Sequence, residues 1–219
     1  MTTPVIAVLD YGIGNLRSAE KALQRVGAEA RLTKDPDFAL QADAVVLPGV
    51  GAFGACMTAL DRAGLREVVY QAIDSGKPFL GICVGMQMLF TSSEEDSEFK
   101  GLGVIDGVVR KIPEGVKRPQ MQWNRLDIVR RHDPAFAGAD LVDRPEGAWV
   151  YFVHSFHGVP NDASVVAATC EYGETLNAAF RQGNVFATQF HPEKSGVSGL
   201  ALLSNFVASV EAGGGSWGR

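Results

Sequence analysis

Cysteine is scarce in this 219-residue chain, and the three present, Cys56, Cys83 and Cys170, form an odd set with no C-x-x-C pairing. Neither a disulfide framework nor a zinc site follows from that spacing. Clusters of positive charge are missing too. The 20 basic and 25 acidic residues are mixed along the chain for a net charge of −5, so no basic stripe marks a nucleic-acid surface. Long apolar runs are absent. The run from Val5 to Leu9 is too short for a signal peptide and has no basic flank. The uncharged stretch 44–60 is broken by Pro48, Gly49, Gly51 and Gly54, which a membrane helix does not tolerate. A soluble cytoplasmic protein is expected, with neither nucleic acid nor membrane as a partner. No internal repeat or long linker divides the chain. One domain is therefore expected over 1–211, followed by a tail, 212–219, whose Gly213-Gly214-Gly215-Ser216 should fray.

The chain does have apolar content: 46% of its residues are hydrophobic, enough for a sizeable core. The run Val5-Ile6-Ala7-Val8-Leu9 is followed by a glycine turn and by Leu16, Ala19, Ala22, Leu23 and Val26 at helical spacing. Gly12-x-Gly14 in that turn lacks the third glycine of a dinucleotide fingerprint, because Arg17 stands there; no cofactor is expected. Strands are predicted from Ala30 to Thr33 and from Ala44 to Leu47, a helix from Leu65 to Ile73, and a strand from Pro78 to a cysteine turn. Strands alternating with helices imply an α/β fold, a mostly parallel sheet flanked by helices, with ligands beyond the C-terminal strand ends. The polar stretch 91–100 reads as a surface loop. From Val108 to Gln189 short β-like runs without helical periodicity predict an antiparallel β portion, and Val197, Leu200, Leu203, Val207 and Val210 mark a last helix.

The chemistry centres on Gly81-Ile82-Cys83-Val84-Gly85. Gly-x-Cys-x-Gly after an apolar strand repeats the spacing of a nucleophile elbow, where small neighbours let a strand turn sharply into a helix with the nucleophile at the apex. The Val84 N–H, next after the nucleophile, is placed to meet an oxyanion. By itself the pattern is weak, since a cysteine after an apolar strand is more often inert packing.

A cysteine nucleophile needs a base, and a group to orient that base. Of the four histidines, His132 sits in a charged loop, and His154 and His157 follow an aromatic run where they can serve packing or substrate. His191 ends an apolar strand and is followed two residues later by Glu193, with Pro192 between. Residues at i and i+2 can point the same way, so Glu193 can orient the imidazole as the acid of a Ser-His-Asp arrangement does.

With these motifs on view, the chain resembles the class I (triad) glutamine amidotransferases over nearly its whole length. Gly81-Ile-Cys83-Val-Gly85-Met-Gln87 and Gln189-Phe-His191-Pro-Glu193 carry the resemblance. Met86, Asp10-Tyr11-Gly12-x-Gly14-Asn15-Leu16, Pro48-Gly49-Val50-Gly51, Met121-x-Trp123-Asn124, Tyr151 to Ser155 and His191 to Gly196 make it most similar to the glutaminase subunits of imidazole glycerol phosphate synthases. The resemblance implies a flavodoxin-like fold and catalysis by Cys83, His191 and Glu193, without metal. It also implies an oxyanion site from Val50, Gly51 and Val84, and glutamine contacts from Gly49, Gln87, Glu95, His154 and Ser155. Its implied partner is a separate HisF-type cyclase, a (β/α)8 barrel, docked against Gln122, Trp123, Tyr151 and Lys194 to form a heterodimer. Ammonia released from glutamine would pass to that cyclase, giving imidazole glycerol phosphate and AICAR in histidine biosynthesis. The family usually reads Pro-His-Met-Gly-Trp-Asn where this chain has Pro119-Gln120-Met121-Gln122-Trp123-Asn124. Other readings of the same residues are a class I glutaminase for another acceptor, a free-standing γ-glutamyl hydrolase, or a non-catalytic binding module with Cys83 merely buried.

Overall fold

The structure, a computed structural model, describes residues 3–138, 141, 147–213 and 217. The first half alternates strands and helices: β1 (Val5–Leu9), α1 (Leu16–Arg25), β2 (Glu29–Thr33), α2 (Pro36–Gln41), β3 (Ala44–Gly49), α3 (Phe53–Arg62), α4 (Arg66–Asp74), β4 (Phe79–Cys83) and a short α5 (Val84–Met88). The second half is mostly strand: β5 (Phe90–Ser93), β6 (Ile105–Lys111), β7 (Gln120–Ile128), β8 (Ala148–His154), β9 (Phe156–Pro160), β10 (Val166–Tyr172), β11 (Glu174–Gln182) and β12 (Val185–Thr188), closed by α6 (Gly196–Glu211).

Among the described residues, one nine-stranded sheet runs in the order β2-β1-β3-β4-β12-β11-β10-β7-β8. It is parallel from β2 to β12 and antiparallel from there to the β8 edge. The antiparallel portion is thus an extension of the parallel sheet. β3 and β4 are buried at every residue, as expected of parallel strands covered on both faces, and their apolar runs leave no polar alternation. β12 has returned from the antiparallel region to lie parallel beside β4, with Thr188 opposite Ile82. This return brings the downstream histidine to the cysteine turn.

One local expectation is corrected, and two features are added to what the sequence suggests. The stretch 91–100 opens not as a loop but as part of β5, which pairs with β6 in a second sheet of β5, β6 and β9. Phe90 and Ser93 are buried there while Thr91 is exposed, an alternation too short to stand out beside the acidic residues that follow. Turn residues after β3 give way at once to α3, whose Phe53, Cys56, Met57 and Leu60 are buried at helical spacing. The tail is anchored at Trp217, which is fully buried against Phe186 and Phe206 at ring-centroid distances of 5.8 and 5.2 Å. Residues 214–216 and 218–219 of that tail lie outside the described residues.

Candidate active site

Cys83 ends β4 with φ 55° and ψ −114°, and it is the one non-glycine with positive φ among the described residues. Such a conformation costs an L-residue free energy and persists only where the surroundings impose it. Here the surroundings are backbone. A Cβ on Gly85 would fall on the Leu47 carbonyl oxygen, and one on Gly49 would lie 2.6 Å from the Gly85 nitrogen. The glycines thus let the elbow seat directly against the end of β3, which is why Gly49 contributes close packing behind the cysteine.

At the end of the adjacent strand, the His191 side chain is 2% exposed and Glu193 3%. His191 Nδ1 donates to Glu193 Oε1 at 2.7 Å, since a carboxylate only accepts. Nε2 has no conventional hydrogen-bond partner and is left to the Cys83 thiol. Burial alone would depress the imidazole pKa, but the Cys83 and Glu193 side chains outweigh it and lift the ring to about 9. At neutral pH the ring therefore holds a proton beside the sulfur. Its backbone is tied down as well: His191 N–H donates to Tyr151 O at 3.0 Å. Ser195 Oγ donates to His191 O at 2.6 Å and accepts from Tyr151 N at 3.0 Å.

A cavity of about 400 Å³ opens on this pair, bordered by Val50, Gly51, Cys83, Val84, Gln87, Glu95, His154, Ser155, His191 and Lys194. Pro119, Val153 and Phe156 complete that border; none of the three is a site residue that the sequence suggests. Gln87 Nε2 donates to Phe156 O at 3.0 Å and Gln189 Oε1 at 3.1 Å, and Gln189 Nε2 reaches the Cys83 sulfur at 3.8 Å. Glu95 Oε2 accepts the Phe53 N–H at 2.8 Å, fixing that carboxylate at the first turn of α3. His154 is neutral: burial drives its pKa down to about 4. Nδ1 donates to Phe156 O at 2.8 Å, and the bare Nε2, 2.8 Å from the Gln120 side-chain amide, accepts from that amide's NH2 group, which has no other partner. Both ring nitrogens are thereby engaged inside the protein, so the polar contacts His154 can offer a ligand are through its backbone.

Trp123 and Tyr151 lie elsewhere, on the outer face of the β7–β8 hairpin. They are directly paired, with ring centroids 6.2 Å apart. Met121, Trp123 and Trp149 are 61%, 48% and 44% exposed. Register places them on one face with Tyr151, since Met121 pairs with Val153 and Arg125 with Trp149. Gln122 is exposed but pairs with Phe152 and so belongs to the opposite face. Lys194 stands on the cavity border. The sequence alone does not mark Met121 and Trp149 as surface residues, but alternation along each strand identifies them once Trp123 and Tyr151 are paired.

The chain matches the class I glutamine amidotransferase family over residues 7–210. It is 50% identical over 208 residues to the imidazole glycerol phosphate synthase subunit HisH of Geobacter sulfurreducens, covering 92% of this chain and 97% of that one. The HisH of Syntrophotalea carbinolica is 51% identical over 209 residues, covering 92% and 98%. This chain belongs to the HisH family of class I glutamine amidotransferases. It is a glutamine amidotransferase. A solved structure described as PurLQS from Thermotoga maritima shares the fold with a TM-score of 0.72 at 23% identity, covering 94% of this chain and 99% of that chain. Another, a crystal structure of glutamine amidotransferase, gives 0.71 at 22%, covering 94% and 98%. Some residues that support a HisH-type site escaped sequence reasoning. Gln189 and Ser195 lie inside the quoted motifs, but only the fold reveals what they touch. Among the described residues, no helix is long and apolar enough to cross a membrane.

Proposed function

We propose that this protein hydrolyses glutamine through a Cys83 thioester and hands the ammonia to a HisF-type cyclase, in the cytoplasm. The observation that carries the proposal is the strained Cys83 elbow beside a protonated His191 on the border of one cavity. Cys83 sulfur attacks the side-chain amide carbon of glutamine. Backbone N–H groups of Val84 and the Val50–Gly51 loop hold the oxyanion that forms. His191 gives its proton to the departing ammonia, then takes one from the water that cleaves the thioester to glutamate. Glu193 holds the ring in register through the Nδ1 hydrogen bond and favours its charged form.

Gln87, Glu95 and the His154–Ser155 backbone form the wall that receives the glutamine head group, with Gly49 supporting the loop from behind. The exposed face of Met121, Trp123, Trp149 and Tyr151 has the composition of an interface core, rich in aromatics and Met, and Lys194 borders the cavity. A cyclase docked on that face takes up the ammonia that the thioester step releases. Imidazole glycerol phosphate and AICAR are then the products of the assembled heterodimer in histidine biosynthesis. The test is glutamine-dependent product formation by this chain mixed with its cyclase. Formation from glutamine that depends on both chains, and that an added ammonium salt restores when this chain is omitted, supports the proposal. Full glutamate release by the isolated chain, unaltered by the cyclase, would instead mark a free-standing hydrolase.

A further inference from the structure

The loop between β3 and α3, residues 48–52, supplies two of the oxyanion candidates, yet its own carbonyl groups are held by two side chains outside the cavity border. Tyr11, at the end of β1, is 5% exposed and donates its hydroxyl proton to Pro48 O at 2.6 Å. Cys56, in the second turn of α3 and fully buried, donates its thiol proton to Val50 O at 3.2 Å. Burial pushes the Cys56 thiol pKa up, which keeps the sulfur protonated and therefore a donor. The Tyr11 hydroxyl also approaches where a Cβ of Gly49 would lie, at 2.8 Å, so the ring tip is packed against the loop.

We propose that Tyr11 and Cys56 are positioning residues that clamp the oxyanion loop from behind. The carbonyl and N–H of a trans peptide point in opposite directions. Holding Val50 O toward Cys56 turns the Gly51 N–H away from α3, and Val50 and Gly51 both border the cavity. Gly51, at φ +89°, accepts the backbone this orientation requires. Tyr11 fixes the upstream peptide, so the loop is held at Pro48 and at Val50 by groups that never touch glutamine. The Met88 sulfur, 3.9 Å from the Tyr11 hydroxyl, links the same hydroxyl to the helix that follows Cys83. This clamp rests on the glutaminase reading above, and it concerns only the donors that face the oxyanion.

The test compares Tyr11→Phe, Cys56→Ala and Cys56→Ser with the wild type and Cys83→Ala, each full chain assayed with its cyclase. Tyr11→Phe removes one oxygen and keeps the ring, and is expected to lower kcat for glutamate release about tenfold, a part of what losing a whole oxyanion donor costs. KM should stay within about twofold, because the loss falls on the transition state. Cys56→Ala should lower kcat several-fold, and Cys56→Ser, which retains a donor, should restore most of it. Alkylation of Cys83 by iodoacetamide forms no oxyanion and should proceed at the wild-type rate in all three. Wild-type kcat in both Tyr11→Phe and Cys56→Ala overturns the clamp while leaving the glutaminase intact. A fall in kcat matched by slower Cys83 alkylation also overturns it, since the elbow rather than the loop is then disturbed. Glutamate release that persists in Cys83→Ala overturns the glutaminase reading itself, and the clamp with it.

Discussion

His191–Glu193 and Arg181–Asp133 are both buried, both of opposite charge and both closely paired, at 2.7 Å and at 2.6 and 2.8 Å. The Arg181 pair is bidentate, with side chains 5% and 1% exposed. Its guanidinium carbon lies 4.1 Å from the Trp217 ring centroid and 4.7 Å from that of Phe186. One of its nitrogens, Nη1, has no hydrogen-bond partner, but it belongs to a group covered by aromatic rings. In the His191 pair the nitrogen without a conventional partner faces a sulfur on a cavity border. Burial and charge do not separate a structural pair from a chemical one. What the remaining polar atom faces does.

The contrast can be broken or sharpened by substitution. Cys83→Ala should reduce glutamate release by roughly 10⁴-fold or more while thermal unfolding stays close to wild type, because a small side chain is removed at a strained position. Asp133→Ala should do the reverse. Leaving Arg181 buried and unpaired costs about 3–5 kcal/mol, read by urea unfolding, while kcat per folded molecule is retained. Loss of activity without loss of stability there would erase the distinction between the pairs. Glu193→Gln, which keeps the shape but not the charge, should lower kcat by up to about 10⁴-fold and move the alkaline limb of the pH profile below the wild-type position.

The pH dependence of stability follows from the same ring. His191 rises from an ordinary 6.5 to about 9 on folding, so the native state binds more protons than the unfolded chain between those values. Its stabilisation is complete below pH 6.5 and is lost as the pH rises through about 9, by about 3 kcal/mol. His154, lowered to about 4 by burial, acts oppositely: its contribution is present above pH 6.5 and lost as the pH falls through 4. Urea unfolding between pH 6.5 and 9 should show stability declining, with a shallower decline in Cys83→Ala because one of the groups that raises the ring is gone. A rise over that window would contradict the pairing. The smallest effect concerns the surface: Trp123→Ala should weaken association with the cyclase by about 1–2 kcal/mol, measured by titration calorimetry, with the fold of the isolated chain unchanged.

Much of the site was legible because its signals are local. Gly81, Cys83 and Gly85 encode the elbow within five residues, and His191, Pro192 and Glu193 encode the imidazole and its carboxylate within three. What brings them together is not local, since β12 must return past β11 to lie beside β4; the motif resemblance, not periodicity, anticipated that. The tail shows the opposite case. Trp217 finds Phe186, Phe206 and Arg181, partners far away in sequence that no spacing announces. His154 was legible as a pocket residue but not in its role. Only coordinates reveal that Phe156 O and Gln120 occupy both of its nitrogens.

The central claim is that the Cys83 sulfur, and no other thiol, attacks glutamine. Mass mapping after treatment with a glutamine-analogue electrophile tests it most directly. One adduct per chain on the Cys83 peptide is predicted, slowed by added glutamine and absent from Cys83→Ala. Modification at Cys56 or Cys170 with Cys83 untouched, while glutamate is still released, would contradict it.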